Sequence, residues 1–597
     1  MSKSGKSNTV KDLIGEYWGS DLKELDDKLG KIKIIDPACG SGAFLNKAGD
    51  ILLEIHKAIH EKKYLDKMDT LAPYFDNIEM RREILLNNIY GVDLNEESVE
   101  ITKLSLFLKV CKAGLKLPNL NKNIKNGNSL IDDSSFANNS FNWEEEFKEI
   151  FEDGGFDIVI GNPPYVRNTD LLSEDKDFFK SYYISAYKQY DLYALFFELG
   201  LRILKNDGYL GFITSNKFLA TDYGKKLRNL LLQDSKINAL IDVSYLKIFK
   251  DASTYPVIAL LQKELNNLKR ENNNVAFHKI ENIADLNQNH DIKTVKQSEF
   301  NYGENNRFLD ISSPEFKIIK KIDADSVKLK ETFNCQRGSP KNKIKLINEK
   351  SDLSVACILS TSINRYTYTI SDDIFVISNL QDKILSKEKI LLPRTVLTIK
   401  AAYEAGGNFI MDRIYYLISK NNDINLKYAT LILNSKIIDF YYKINFSTTH
   451  IGGGYLDLKG TQIDELPIKI ISKDNELQFV EKADKMLKIN KELIDEINGF
   501  KNWLKTTYQI DKLSQKLDKY YDLSFDDFLI ELKKKKVDIK PRKTQELLKN
   551  EFEESLIKIN PLTDEIRIID SEINQLVYEL YGLTDNEIQI IEDSINS

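Results

Sequence analysis

The chain has 597 residues, of which 42% are apolar and 29% charged, and a net charge of −7. That composition is globular and long enough for roughly three or four domains. No stretch approaches the roughly 18 apolar residues of a membrane span, and the opening Met1-Ser2-Lys3-Ser4 lacks the apolar core of a signal peptide. Four scattered cysteines (Cys39, Cys111, Cys335, Cys357) argue against a zinc site or disulfide framework and for a reducing cytoplasm, so no metal is expected. Net negative charge does not advertise a nucleic-acid binder, yet it leaves room for a local basic surface.

Residues 1–30 read as polar and helical, with Val10, Leu13 and Ile14 on one face. Lys31–Ile35 is an apolar strand, followed by Asp36-Pro37-Ala38-Cys39-Gly40-Ser41-Gly42-Ala43. Strand, glycine-bearing turn and helix is the nucleotide-cofactor arrangement of doubly wound folds. The stretch has neither GxGxxG spacing nor the Gly-Lys-Ser/Thr of a phosphate-binding loop. Small residues around Gly40 and Gly42 let the backbone approach a ligand, and Asp36 can pair with a cation. An acid beside a close backbone suits a ligand with an ammonium group and no phosphates. S-adenosylmethionine (SAM) fits that description and ATP does not.

A helix is expected over 44–62, then a strand at 88–93 that ends in Asp93. An acid there is placed for ribose hydroxyls, and it also suits a helix N-cap ahead of Glu96 and Glu97. Gly127-Asn128 is a third strand-end candidate, with Asn128 able to meet an adenine edge or to serve as plain turn chemistry. The strand Ile158–Ile160 stops at Gly161-Asn162-Pro163-Pro164-Tyr165. Two prolines without amide hydrogens make a stiff loop at a strand end. That loop presents the Asn162 amide, the Pro163 carbonyl and the Tyr165 ring. An amine on a flat ring, adenine above all, could donate to the two oxygens while Tyr165 stacks on it. Residues 191–204 alternate at helical spacing, and strands are expected at 209–214, 239–243 and 257–261. Strand–helix alternation over 31–263 predicts one α/β sheet closing in an antiparallel hairpin.

The motifs Asp-Pro-Ala-Cys-Gly-Ser-Gly, Gly-Val-Asp, Asn-Pro-Pro-Tyr and Gly-Tyr-Leu-Gly-Phe-Ile-Thr occur in this order. As a set, the chain resembles the gamma-order, amino-methylating DNA adenine-N6 methyltransferases of Type II and IIG restriction–modification systems. The resemblance implies Asp36, Gly40 and the backbone around Ala38 at the methionine end of SAM, with Gly42 in the same turn. It implies Asp93 at the ribose, and Asn162, Pro163 and Tyr165 at the target adenine. Phe249 resembles the family's second stacking aromatic, with Tyr255 a close competitor. The family often carries Asp where this chain has Asn128. It also carries an upstream Tyr-Thr-Pro-like segment that residues 1–30 lack, so either the chain starts inside that motif or a partner chain completes the pocket.

Composition shifts near 270. The expected order is a doubly wound SAM-dependent methyltransferase domain (1–270), a connector (271–326), an α+β target-recognition domain (327–470) and a helical C-terminal region (471–597). Residues 327–470 hold 20 Lys+Arg against 14 Asp+Glu and resemble the recognition domain of the same enzymes. Arg337, Arg365, Arg394, Lys400 and His450 are the candidates for contact with double-stranded DNA; each reads equally as solvated surface charge. Lys533–Lys536 reads first as a solvated face.

Three rivals remain. Asn-Pro-Pro-Tyr also occurs in RNA and protein-glutamine methyltransferases, which are usually shorter. A bifunctional Type IIG enzyme would add a nuclease, but no Pro-Asp…Glu-x-Lys cluster stands in the first 30 residues; the nuclease would be absent or on another chain. A non-enzymatic specificity subunit would not need the cofactor motif.

Overall fold

The computed structural model describes residues 10–65, 76–111, 116–246, 248, 255–280, 282–283, 293–300, 308, 313–340, 346–347, 349–351, 354–377, 385–446, 450–451 and 455–596. The chain divides into two compact units, Met1–Ser312 and Ser313–Ser597.

The first unit is built on a nine-stranded sheet. Its strands are β1 (Ile34–Asp36), β2 (Ile89–Asp93), β3 (Ile124–Asn126), β4 (Phe156–Gly161), β5 (Leu204–Ser215), β6 (Ser235–Asp242), β7 (Pro256–Lys263), β8 (Asn274–Lys279) and β9 (Lys293–Lys296). They lie in the order β3-β2-β1-β4-β5-β7-β6-β8-β9. β3, β2, β1, β4 and β5 run parallel, while β7 is antiparallel to both β5 and β6. Strands in a parallel sheet are covered on both faces, which is why Ile34, Ile35, Ile89, Val92 and Val159 are all buried. The strand order reverses between β1 and β4, and such a switch point opens a crevice beyond the strand ends.

The helix Tyr193–Ile203 departs from the one-sided pattern read from its sequence. Every residue in it but Arg202 is buried, including Glu198. Glu198 is tolerated because it accepts from Ser185 N (2.8 Å), Ser185 Oγ (2.7 Å) and Arg202 Nη2 (2.5 Å).

The sheet also continues past residue 270, so the expected connector does not begin there. β8 adds in parallel to β6, and β9 pairs antiparallel with β8. Buried Gln297 explains the extension: its Oε1 accepts from Ile237 N and Asn273 Nδ2, and its Nε2 donates to Ser235 O. A lone Gln after a polar linker carries no periodic signal.

The second unit holds a four-stranded sheet in the order Phe333–Arg337, Ile414–Ser419, Lys389–Pro393, Ala402–Glu404, with every neighbour antiparallel. The buried ion pair Lys389–Glu404 (2.7 Å) joins two of these strands. The C-terminal part is helical, as expected. Lys473–Tyr508 and Arg542–Leu580 are helices of 36 and 39 residues. A separate apolar cluster that includes Phe500, Tyr520, Phe528 and Phe552 joins them to the shorter helices between. No helix among the described residues is long and apolar enough to cross a membrane.

A chain cut at residue 270 leaves β6 as an open edge, whereas one cut at 312 keeps β8 and β9. The shorter fragment should unfold at a lower temperature, and equal midpoints in scanning calorimetry would remove β8 and β9 from the folded core. In the full chain, Gln297→Ala should cost about 1–3 kcal/mol by leaving Ile237 N and Ser235 O unpaired, read as a fall in the denaturation midpoint.

Candidate active site

Three adjacent strand ends meet at the switch point: Asp93 on β2, Asp36 on β1 and Gly161 on β4. Asp36 is 2% exposed, and its Oδ1 accepts from Ala38 N at 3.0 Å. Among the described residues no cationic side chain pairs with it. Burial pushes its carboxyl up to about 7; the Ala38 amide works against that rise and the Asp93 charge adds to it. Gly161 has φ +157°, and a Cβ there would stand 2.6 Å from Asp36 Oδ1. The glycine that ends β4 is therefore the room in which the Asp36 carboxylate sits.

The turn after β1 is held open by its neighbours. Cys39 N donates to Val92 O (3.0 Å), and Thr102 Oγ1 donates to Gly40 O (2.7 Å). Asp93 Oδ2 accepts from Gly40 N at 2.8 Å and its Oδ1 from Asn95 N at 2.9 Å. The N-cap of the helix Glu96–Leu108 is Asn95, not Asp93. Asp93 thus shapes the turn, and each of its oxygens keeps a further acceptor site. Gly40 has φ +52°, and a Cβ on it would meet nothing within 4 Å. That open cradle lies in the same turn as Asp36. A Cβ on Gly42 (φ +77°) would instead strike Thr102 Cγ2 at 2.7 Å. Asn128 behaves as turn chemistry: its Oδ1 accepts from Leu130 N at 3.1 Å. The following Ser129 Oγ ties this loop to Pro37 O at 2.6 Å.

Beyond Gly161, the Asn162–Tyr165 loop folds on itself. Tyr165 OH lies 2.7 Å from Asn162 Oδ1 and 3.2 Å from Ile213 O. Burial raises the Tyr165 hydroxyl well above the usual phenol range, so it stays protonated and donates. The Asn162 oxygen has two lone pairs, so this bond leaves one acceptor site. The Tyr165 ring meets Tyr193 edge-on at 6.0 Å. Tyr193 OH lies 2.6 Å from Tyr223 OH, which donates to Asp191 Oδ2 at 3.1 Å. Tyr193, Tyr223 and Asp191 support the loop without any sequence signal, since the helical spacing of 191–204 does not single out a Tyr193 hydroxyl. Phe249 lies outside the described residues, and Tyr255 is 45% exposed.

The five DNA candidates of the second unit fare differently. Arg365 is withdrawn: its Nη1 and Nη2 grip Asp570 at 3.0 and 2.6 Å, and Nη2 also donates to Asn434 O. Its whole outer edge is consumed in holding a C-terminal helix. Arg337 and Arg394 pair with Asp412 and Asp457. Lys400 makes a long contact, 3.4 Å, with Asn364 Oδ1. His450 begins the short strand His450–Ile451.

Gly161→Ala should displace the Asp36 carboxylate and strain β4, at a cost of about 1–3 kcal/mol. Chemical denaturation checks it, and an unchanged midpoint would mean that β4 gives way freely.

Residues 87–249 match the Eco57I restriction-modification methylase family, 314–468 the TaqI-like C-terminal specificity domain, and 472–577 a domain of unknown function (DUF8810). The Type II restriction enzyme and methyltransferase RM.Eco57I of Escherichia coli is 31% identical over 46% of this chain and 28% of its own length. The Type II methyltransferase M.BstVI of Geobacillus stearothermophilus is 28% identical over 40% of this chain and 38% of its own. The adenine-specific methyltransferase PglX of Streptomyces coelicolor is 25% identical over 33% and 18%. The chain thus spans well under half the length of these relatives. It is Type II methyltransferase-like in sequence, joining an Eco57I-like restriction-modification methylase domain to a TaqI-like C-terminal specificity domain.

Proposed function

We propose that this chain transfers a methyl group from SAM to the N6 amine of adenine in double-stranded DNA, as the modifying arm of a restriction–modification system. The observation that carries the reading is the adjacency of an amide acceptor and a buried carboxylate, unpaired with any cation among the described residues, at one switch point. Asp36 and Asn162 stand at the ends of neighbouring strands β1 and β4, with Gly161 between them. Similarity to the methyltransferases RM.Eco57I and M.BstVI supports methyl transfer, and similarity to the adenine-specific methyltransferase PglX supports adenine as its target.

The residues present fit SAM. Asp36 would receive its ammonium group, the cradle at Gly40 would admit it against the backbone, and the acid of Asp93 holds the Gly40 amide in place. When bound, SAM supplies an electrophilic methyl on a sulfonium.

The chain's own part is positioning. A base inside a duplex is out of reach, so the target adenine is turned out of the stack. Its amine is a poor nucleophile because the lone pair is delocalised into the ring. The free acceptor site on Asn162 Oδ1 and the Pro163 carbonyl would draw the amine hydrogens and favour a pyramidal nitrogen. Tyr165 holds the Asn162 amide oriented while its ring offers a stacking face. Such fixed dipoles lower the barrier without moving during the reaction.

The test is nucleoside analysis of mixed-sequence duplex DNA incubated with the chain and labelled SAM. The label should appear in N6-methyldeoxyadenosine; methylcytosine, labelled RNA or labelled protein in its place would overturn the reading. Asn162→Ala should lose roughly 10²–10³ in turnover while calorimetry shows SAM binding retained, because the amide faces the base. Equal loss of both would put Asn162 in the cofactor pocket.

A further inference from the structure

In the second unit, three strand ends present arginines side by side. Arg337 closes the strand Phe333–Arg337, Arg394 follows Lys389–Pro393, and Arg413 precedes Ile414–Ser419, the strand lying between those two. All three therefore emerge from the same end of the four-stranded sheet. Neighbouring strands are about 4.8 Å apart, so the backbones at Arg337 and Arg394 stand roughly 10 Å from each other, a span of about three base steps at 3.4 Å each.

Arg337 and Arg394 are held in the same way, and it is not the way Arg365 is held. Arg394 donates Nε to Asp457 Oδ1 (2.7 Å) and Nη2 to Oδ2 (3.1 Å). Arg337 donates Nε to Asp412 Oδ1 at 2.9 Å, with Nη2 2.8 Å from the same oxygen. In both, the carboxylate takes the side edge of the guanidinium. Nη1 and the outer Nη2 hydrogen have no partner among the described residues. Arg365 spends that same outer edge on Asp570. The acids are also the more buried partners: Asp457 is 17% exposed against 35% for Arg394, and Asp412 31% against 50% for Arg337. Each carboxylate is the less exposed of its pair and leaves the outer fork without a partner among the described residues.

The mounts are rigid. Arg394 N donates to Arg413 O and Leu458 N to Arg394 O, both at 2.8 Å. Thr395 pairs with Asp457 across a strand, and Arg413 N fixes Asp412 Oδ1 at 2.8 Å. Arg413 sits at φ +66° and makes no ion pair among the described residues.

We infer that Arg394 and Arg337, each braced by its aspartate, read guanine in the DNA sequence that this chain recognises. A planar fork with two parallel N–H groups matches the O6 and N7 acceptors of guanine in the major groove. A carboxylate on the opposite edge fixes the fork's plane and lowers the entropy lost on contact. Arg413, unbraced between them, is left for the phosphate backbone. Asp457 and Asp412 are then positioning residues for specificity and touch no base. The inference rests on the DNA-modifying reading above, and its ligand class is the guanine edge of a duplex.

The test is selection of bound duplexes from a randomised library by the full chain, followed by sequencing. This readout does not depend on methyl transfer, so it fails or succeeds separately from the nucleoside analysis. Wild-type chain should enrich at least two guanine positions. Arg394→Ala should lower discrimination at one of them roughly tenfold or more, and Arg337→Ala at the other. Arg394→Lys keeps the charge but not the fork, and should relax the same position as Arg394→Ala. Asp457→Asn and Asp412→Asn, with both arginines intact, should relax those same positions to a smaller degree. Thermal unfolding of each variant checks that the fold survives, and position-selective relaxation is something a merely weakened fold does not produce. Even weakening across all sequences with a flatter salt dependence would make the arginines phosphate contacts and overturn the inference. So would full rescue by Arg394→Lys, or an unchanged sequence profile in every variant.

Discussion

A carboxylate buried with no cationic partner among the described residues is the constraint around which the first unit is arranged. Asp36 is fixed at the switch point by the Ala38 amide and the space left by Gly161. With its carboxyl pushed up to about 7, the folded chain holds that proton more tightly than an unfolded chain would. Ionising it costs stability that grows as pH rises from about 4 to 7, on the order of 4 kcal/mol at the top of that range. Locally the acid contributes the hydrogen bond from Ala38 N, worth about 0.5–1.5 kcal/mol and less than that cost. The cost is understandable if a positively charged ligand restores the balance when it binds.

The second unit shows the same economy with the sign reversed. Arg337, Arg365 and Arg394 are tied to aspartates far away in sequence. Arg365 and Asp570 are separated by 205 positions, and Asn574 Oδ1 accepts from Lys436 N at 2.9 Å. Lys321 and Lys436 reach Glu587 and Glu592. The C-terminal helices are therefore fastened to the α+β part of this unit by buried or half-buried polar bonds. Residues 471–597, read from periodicity as a separate helical region, form one packed body with the residues before them.

Much of the first unit was legible because its signals are local. A β-branched run ending in Asp-Pro-Ala-Cys-Gly, or in Gly-Asn-Pro-Pro-Tyr, announces a buried strand and the chemistry at its end. What stayed hidden was long-range. Gln297 extends the sheet by bonding to residues about sixty positions earlier. The Tyr193 hydroxyl meets Tyr223 thirty positions later, which no local pattern announces. Asp93 was readable as a ribose ligand or a cap, but only the fold shows it gripping Gly40. Arg365 and Arg394 look alike in the sequence, and only their partners' positions show that one spends its outer edge on Asp570 while the other bonds Asp457 through its side edge.

Proton linkage tests most directly whether Asp36 receives a cation. A bound ammonium group holds the carboxylate ionised, so below about pH 7 binding must release its proton. Calorimetric titration of SAM in buffers of different ionisation enthalpy should show close to one proton released below pH 7 and little above it. The affinity should fall about tenfold per pH unit on the acid side. Asp36→Asn should abolish both the proton release and the slope. Binding with no proton release and a flat pH profile in the wild-type chain would contradict the account, because Asp36 would then be a buried acid with no part in holding the cofactor.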